Sequence, residues 1–382
     1  MKPDYAARPA FNFLRFNGFL RATHSSNVMI LSSHRMGRWR MYSTIVPYTQ
    51  GQIHSGDTCK QVQHKLRKEG FAIYPERILS REACDTVKKK MPDLFAGIFE
   101  TGVYPDEWHW RDHISRNDVT REMCNTWKSD RTIASIVLNE DLGKLVSTIM
   151  GWDSVRIGQD DLIWKPPNQN STVVGFHQDS AYISNNFVPY ENNSVTVWFA
   201  LDDANHENGC VEYAVGSHLW KTISKYETEL EALNVETLGS PSDSAQFQTG
   251  AFHSSDSTNY RQGIPPKYRK NMVLKNTSVF EGHVIFHHQD VWHGSGPNLS
   301  QTRHRRALVA HYLRGDIKFK ADNIDNPNQA IKATPWGSTK YIYGRYKLFQ
   351  TNDLDESFFP IVYAAHSANT ERTEWLDEYI QL

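Results

Sequence analysis

His177 and Asp179 stand two positions apart in GFHQDSAY. His288 and Asp290 repeat that spacing in FHHQDVWHGSG, with His293 just behind. On an extended backbone residues i and i+2 project from one face. Either pair can therefore offer an imidazole nitrogen and a carboxylate oxygen to one metal ion while the residue between faces away. Such a pair plus a second imidazole makes the 2-His-1-carboxylate facial triad, which leaves coordination positions open and is the ligand set of non-haem Fe(II) oxygenases. A lone His-x-Asp recurs by chance on ordinary surfaces, so the weight rests on its surroundings.

The distal stretch DVWHGSGPNLSQTRHRRALVAHYL carries His293 into a Gly-Ser-Gly turn. Beyond a loop, Arg303, Arg305 and Arg306 lead into an apolar run. An oxo-acid co-substrate with a remote carboxylate needs such an arginine, because a guanidinium grips a carboxylate bidentately in a dry pocket. The charges also close. A ferrous ion, one Asp, a doubly charged 2-oxoglutarate and one Arg sum to zero, so the cluster escapes the heavy cost of an unpaired buried ion. Were His288 and Asp290 the ligand pair, only His304 or His311 could follow as the third ligand, and the upstream pair would stand idle. Combining His177 and Asp179 with His293 uses both segments. His288 and Asp290 then become strand-end residues, candidates to hydrogen-bond the ligands.

These side chains need a rigid frame. From residue 152 onward, VRIGQDDLIWK, TVVGFHQD, SVTVWFALDD, GCVEYAVGSH, HVIFHHQD and RALVAHYLR are β-branched or aromatic runs. Clusters of Pro, Asn, Asp and Gly separate them, the pattern of an all-β sandwich or barrel. Upstream, GFAIY predicts a short strand, and Ser80 is placed to cap a helix running to about Met91. Residues 95–150 read as mostly helical, with ASIVLNEDLGKLVSTIMG a single helix ended by Gly151. Residues 58–320 form one domain in this reading. Within it, 221–276 is a long polar insert, a lid by its length, whose Arg261, Lys267, Arg269 and Lys270 make a solvated charged face. Residues 321–382 follow as an extension, with a terminal helix in ANTERTEWLDEYI. Asp161, Trp164 and Lys165 are candidates to line the site, and Tyr182 and the loop NNFVPYENN to touch substrate.

Composition narrows the partners. A net charge of −1 gives no general attraction to nucleic acid or an anionic membrane, and no apolar run reaches the length of a membrane span. A small-molecule substrate is the expected partner, with the chain a monomer or a homodimer. Four scattered cysteines without CxxC argue against a disulfide framework or a thiolate zinc site. Residues 1–55 differ from the rest. Lys2, Arg8, Arg15, Arg21, Arg35, Arg38 and Arg40 stand against the single acid Asp4, with serines and apolar residues interleaved. That composition predicts a mitochondrial transit peptide, the alternative being a disordered basic tail on a cytoplasmic protein.

The ordered set HxD (177–179), WFALDDANHENGC (198–210), AVGSH (214–218) and WHGSGPNLS (292–300) with Arg305-Arg306-Ala307 resembles the phytanoyl-CoA dioxygenase family of Fe(II)/2-oxoglutarate oxygenases. The resemblance runs over roughly residues 65–315. It implies a mainly β protein with flanking helices, a double-stranded β-helix (jelly roll, cupin-like). Carried over, His177, Asp179 and His293 would bind Fe(II), while Trp198 and Ser295 would contact 2-oxoglutarate and Arg305 would hold its carboxylate. His304 occupies the position where the family usually has this arginine, so Arg303 and Arg306 stay open as alternatives. The implied reaction consumes O2 and 2-oxoglutarate, releases succinate and CO2, and hydroxylates an acyl-CoA, a phosphonate-like compound or another metabolite. Asp179 favours hydroxylation over halogenation, because related halogenases lack that carboxylate. The competing readings are a non-catalytic jelly-roll binding protein and a zinc-dependent hydrolase.

Overall fold

The computed structural model describes residues 56–108, 110–167, 172–220, 260–320 and, discontinuously, 343–381. The basic N-terminal segment, residues 221–259 of the insert and 321–342 of the extension lie outside the described residues.

The helices that open the chain obey local rules. Helix α1 (Gly56–Glu69) leads to strand β1 (Phe71–Ile73). Helix α2 (Arg81–Phe95) is capped by Ser80, whose hydroxyl accepts from the Ala83 amide at 3.1 Å, a contact of about 1 kcal/mol. The predicted single helix before Gly151 is two, α3 (Arg131–Val137) and α4 (Glu140–Met150). Asn139 divides them, because its side chain accepts from the Asp141 and Leu142 amides and starts a new helix. Gly151 ends α4 at φ 70°, where a Cβ would be strained.

The strands follow in chain order. They are β2 (Glu107–Trp108), β3 (Arg121–Cys124), β4 (Ser154–Lys165), β5 (Val174–His177), β6 (Phe187–Val188), β7 (Ser194–Ala200), β8 (Val211–Ala214), β9 (Leu274–Thr277), β10 (Val284–His288), β11 (His293–Ser295), β12 (Arg305–Arg314), β13 (Lys318–Phe319) and β14 (Ile361–Ala364). Antiparallel pairing gives a large sheet in the order β1-β10-β7-β12-β4-β3-β2, with β14 added on β4, and a small sheet in the order β5-β11-β8-β9. The two face each other as a mainly β jelly roll.

Alternation along the strands sorts side chains between two cores. Val195, Val197 and Phe199 of β7, Leu308, Ala310 and Tyr312 of β12, and Val284 and Phe286 of β10 pack outward with the helices. Trp198, Ala200, Ala307, Val309 and Ile285 point inward, against Val211 and Tyr213 of the small sheet. Helices α1–α4 and the C-terminal helix pack against the outer face of the large sheet, while the helical turns at 260–269 pack with the small sheet.

Two boundaries differ from the sequence reading. The last part of the 221–276 insert is strand and turn: β9 pairs with β8, and Gly263 sits so close to β5 that a Cβ there would lie 1.9 Å from the Phe176 carbonyl oxygen. Arg261 is no solvated charge, since it binds buried Glu212 through two 2.7 Å bonds. The extension is likewise part of the fold, with β14 on β4 and helix α5 (Trp375–Gln381) at the end. Its strand is four residues long and carries no period a sequence reading can separate from loop. Among the described residues no helix is long and apolar enough to cross a membrane.

Candidate metal and co-substrate site

β5 and β11 are antiparallel neighbours, and His177 is the direct partner of His293. Cross-strand partners on one face sit side by side, and here the two imidazole centroids are 4.3 Å apart. β5 ends at His177, but Gln178 continues the extended backbone at φ −119° and ψ 133°. The i, i+2 relation therefore survives, and Asp179 turns to the same side from the first position of a 3-10 turn. Asp179 Oδ1 lies 3.4 Å from His177 Nε2 and 3.5 Å from His293 Nε2. The three ligand atoms all fall within 4.8 Å of one another.

Backbone carbonyls fix both rings. Nδ1 of His177 is 2.8 Å from the Gly175 oxygen and Nδ1 of His293 is 3.0 Å from the Val291 oxygen. A carbonyl only accepts, so each Nδ1 carries the proton and each Nε2 is left as the ligand nitrogen. Burial pushes His293 well below the ordinary histidine range, which keeps it the neutral ligand a metal requires. For Asp179 burial works to raise the pKa. The surrounding imidazoles, with the hydrogen bonds they make to it, outweigh burial and hold its carboxyl well below the usual range.

The two oxygens of Asp179 have separate tasks. Oδ1 faces the imidazoles. Oδ2 accepts from the Thr196 hydroxyl at 2.5 Å and from His287 Nε2 at 2.8 Å. His287 in turn has Nδ1 2.9 Å from the Tyr213 hydroxyl. This is the supporting role the sequence reading gave to His288 and Asp290, and the structure corrects it by one residue. His287 is the inward position of β10, opposite Thr196. His288 points out, with its ring beside His218, and Asp290 bonds His288 through its amide and Tyr190 through its carboxylate.

Two residues along β11 from His293, Ser295 meets Arg305, which is fully buried. Its Nε donates to the Gly209 carbonyl at 3.0 Å and its Nη2 to Ser295 Oγ at 3.0 Å, while its guanidinium carbon lies 5.7 Å from the Trp198 ring. Arg305, Ser295 and Trp198 thus meet in one pocket. Burial lowers the Arg305 pKa to about 10. The two alternatives are engaged elsewhere: Arg306 binds Asp202 at 2.7 and 2.8 Å, and Arg303 pairs with Glu207. Facing Arg305 across β12 and β4 is Lys165, also fully buried, which donates to the Ser295 and Gly296 carbonyls at 3.2 and 2.5 Å. Burial, with Arg305 alongside, pushes its amine well below the usual lysine range.

Of the other candidates, Asp161 and Lys165 face the interior and Trp164 does not. Trp164 lies on the outer face of β4, against Phe95 and Arg121 and bonded to His304. Tyr182 stands edge-on to His177 at 6.2 Å. The Gly209 carbonyl holds Arg305, and at φ 79° a Cβ on Gly209 would come 2.7 Å from the Gly296 oxygen. Glu122, Cys124 and Asp161 form a second group of donor atoms within 4.8 Å. Burial pushes the Cys124 thiol far up, and Asp161 already accepts from Gln159 and bonds His311, so no thiolate ligand is on offer.

The donor set suits iron. Two neutral imidazoles and one carboxylate oxygen converge, and the remaining carboxylate oxygen is saturated by protein donors. The surroundings suit a carboxylate, because the buried guanidinium of Arg305 has no carboxylate in ion-pair range among the described residues.

Comparison with known proteins agrees. The family model for phytanoyl-CoA dioxygenase matches residues 66–307. Over 186 residues the chain is 28% identical to a probable alpha-ketoglutarate-dependent hypophosphite dioxygenase of Stutzerimonas stutzeri, covering 48% of this chain and 54% of that one. Over 195 residues it is 30% identical to a phytanoyl-CoA dioxygenase domain-containing protein 1 homolog of Caenorhabditis briggsae, covering 51% and 59%. The chain thus spans a little over half the length of these relatives. Among solved structures, the non-heme alpha ketoglutarate dependent epimerase SnoN superposes with a TM-score of 0.54 at 17% identity, over 83% of this chain and 100% of that one. The carbocyclase SnoK superposes at 0.51 and 18%, over 79% and 95%. At such identities the two structures establish the shared fold. With its motifs, fold and a family match over most of its length, the chain belongs to the phytanoyl-CoA dioxygenase family, whose cofactors are Fe(II), 2-oxoglutarate and O2.

Proposed function

We propose that this chain hydroxylates a small organic substrate, with His177, Asp179 and His293 holding Fe(II) and Arg305, Ser295 and Trp198 holding 2-oxoglutarate. The observation that carries the reading is a His-Asp-His donor set whose His293 shares a three-residue strand with Ser295, the residue bonded to a buried arginine that has no carboxylate in ion-pair range among the described residues. When bound, iron and 2-oxoglutarate supply O2 activation coupled to decarboxylation of the oxo acid to succinate and CO2.

The chain's own residues bind and orient. Arg305 fixes the remote carboxylate by its planar fork, and Ser295 aligns that fork from the side. Trp198 walls the pocket with an apolar face and excludes water from around the oxo acid. Asp179 occupies the coordination position that a halide would need, which supports hydroxylation over halogenation. Tyr182, beside the exposed edge of His177, is placed to touch the substrate. A non-catalytic binding protein has no use for both the donor set and the arginine, and a zinc hydrolase would need a dedicated base beside the metal-bound water.

The test uses purified chain with Fe(II), ascorbate and 2-oxoglutarate. Succinate should form slowly without added substrate and vanish in His177→Ala. A panel of acyl-CoA thioesters, phosphonates and small polar metabolites should contain a compound that accelerates succinate release and gains one oxygen atom. Tightly held zinc with no succinate under any condition would sink the dioxygenase reading. The composition of residues 1–50 supports a mitochondrial address. Residues 1–55 fused to a fluorescent reporter should carry it into mitochondria, and a reporter left in the cytoplasm refutes the targeting.

A further inference from the structure

A line of buried polar side chains runs from the iron carboxylate into the large sheet, beyond the residues given a role above. Thr196 Oγ1 is 2.5 Å from Asp179 Oδ2 and 2.8 Å from Nδ1 of His311. Nε2 of His311 is 2.9 Å from Asp161 Oδ2, and Asp161 Oδ1 accepts from Gln159 Nε2 at 2.7 Å. Gln159 Oε1 accepts from the Tyr343 hydroxyl at 2.6 Å. Thr196 and His311 are direct cross-strand partners, and both project inward.

Counting protons gives the line a direction. A hydroxyl has one proton. The Asp179 carboxylate is acceptor only, so the Thr196 proton lies on the Asp179 side. The contact between Thr196 and His311 then needs Nδ1–H of His311 as donor. Asp161, on the other side, either accepts from Nε2–H or lends its own proton to Nε2, and in both cases Nδ1 keeps its hydrogen. Asp161 thereby sets the orientation of His311, and His311 sets the hydroxyl of Thr196.

We propose that His311 and Asp161 are positioning residues that act through Thr196 to hold the plane of the Asp179 carboxylate, so that one oxygen takes the protein donors and the other is aimed between the imidazoles. With Thr196 and His287 both donating to one oxygen, twisting the carboxylate out of this plane would break two hydrogen bonds, so its other oxygen stays aimed at the imidazoles. Asp160, the preceding residue, takes no part. It points to the opposite face of β4 and accepts from the Thr126 and Trp127 amides. The inference rests on Asp179 being a metal ligand.

The test is the affinity for Mn(II), which needs no turnover, measured by calorimetry on the full chain. Thr196→Val keeps shape and removes the hydroxyl. It should weaken Mn(II) binding on the order of 10- to 100-fold, and Thr196→Ser should restore it. His311→Phe should give a similar loss. The double variant Thr196→Val/His311→Phe should bind no worse than the weaker single one, because the two act as a unit. Wild-type Mn(II) affinity in Thr196→Val, or losses that simply add, overturns the proposal. Should His311→Phe fail to fold, the Val and Ser variants at 196 decide alone. Wild-type chain that binds Mn(II) but makes no succinate refutes the dioxygenase reading, and the variants at 196 still decide the positioning.

Discussion

Arg305 and Lys165 face each other across β12 and β4, both fully buried, and neither has a carboxylate within ion-pair range among the described residues. Two adjacent cations in a dry interior are costly, and burial with Arg305 alongside pushes the Lys165 amine toward its neutral form. Among the described residues the guanidinium, which keeps its charge, meets only carbonyls and one hydroxyl, so a ligand carboxylate would supply its balancing charge.

Arg305→Met should therefore raise the KM for 2-oxoglutarate by roughly 100-fold, equivalent to about 3 kcal/mol for a lost charge-assisted bidentate contact. Mn(II) affinity should stay near wild type, because Arg305 touches no metal ligand. Arg305→Lys should recover little, since an ammonium cannot reproduce the fork that spans Gly209, Ser295 and a carboxylate. A normal KM in Arg305→Met would remove Arg305 from the pocket.

Metal and co-substrate should stabilise the fold by mass action. Mn(II) and 2-oxoglutarate, each at about 100 times its Kd, should each add about 2.7 kcal/mol. A thermal melt should show this as a clear upward shift for wild type. In His177→Ala the shift with Mn(II) should be absent.

Gly294 links His293 to Ser295 where β11 lies close against β5. A Cβ there would lie 2.7 Å from the Phe176 ring and 2.8 Å from the Val174 carbonyl oxygen. Gly294→Ala must push β11 off β5, which separates His293 from His177. We expect a stability loss of about 1–3 kcal/mol in urea, with Mn(II) affinity falling further than the stability loss accounts for. Unchanged Mn(II) affinity would contradict the cross-strand origin of the site.

Arg261 pins the strand-and-turn end of the insert to Glu212 on β8. Arg261→Ala leaves the buried carboxylate of Glu212, among the described residues, with the Tyr260 hydroxyl at 3.2 Å. Because Arg261 is itself half exposed, the expected destabilisation is moderate, about 1–3 kcal/mol. Adding Glu212→Gln should return part of it, and an additive double variant would show that the two do not act as a pair.

Much of this molecule is written locally. The six strands read after residue 152 all form, because β-branched and aromatic runs bounded by turn residues suit a pleated surface. Ser80 and Gly151 end helices where a hydroxyl acceptor and a free φ are needed. What misled was equally local. Asn139 inside an apolar helical pattern reads as a tolerated polar residue, and only its cap geometry shows a break. Of the basic residues near 261–270, Lys267 and Lys270 are exposed as read, and Arg261 departs because sequence does not show that Glu212 is buried opposite it.

By itself, the sequence determined the chemistry on offer: a His-x-Asp on an extended segment, a distal His before a Gly-Ser-Gly turn, and an arginine cluster two turns further on. Tertiary structure alone decided which histidine of the pair 287 and 288 supports Asp179, which of three arginines enters the pocket, and that Lys165 joins it. The physical reason lies in the two-residue period of a strand. It assigns every side chain to one face or the other, but which face is the interior depends on register with strands roughly a hundred residues away. A shift of one residue in that register would exchange His287 for His288 and Arg305 for Arg306.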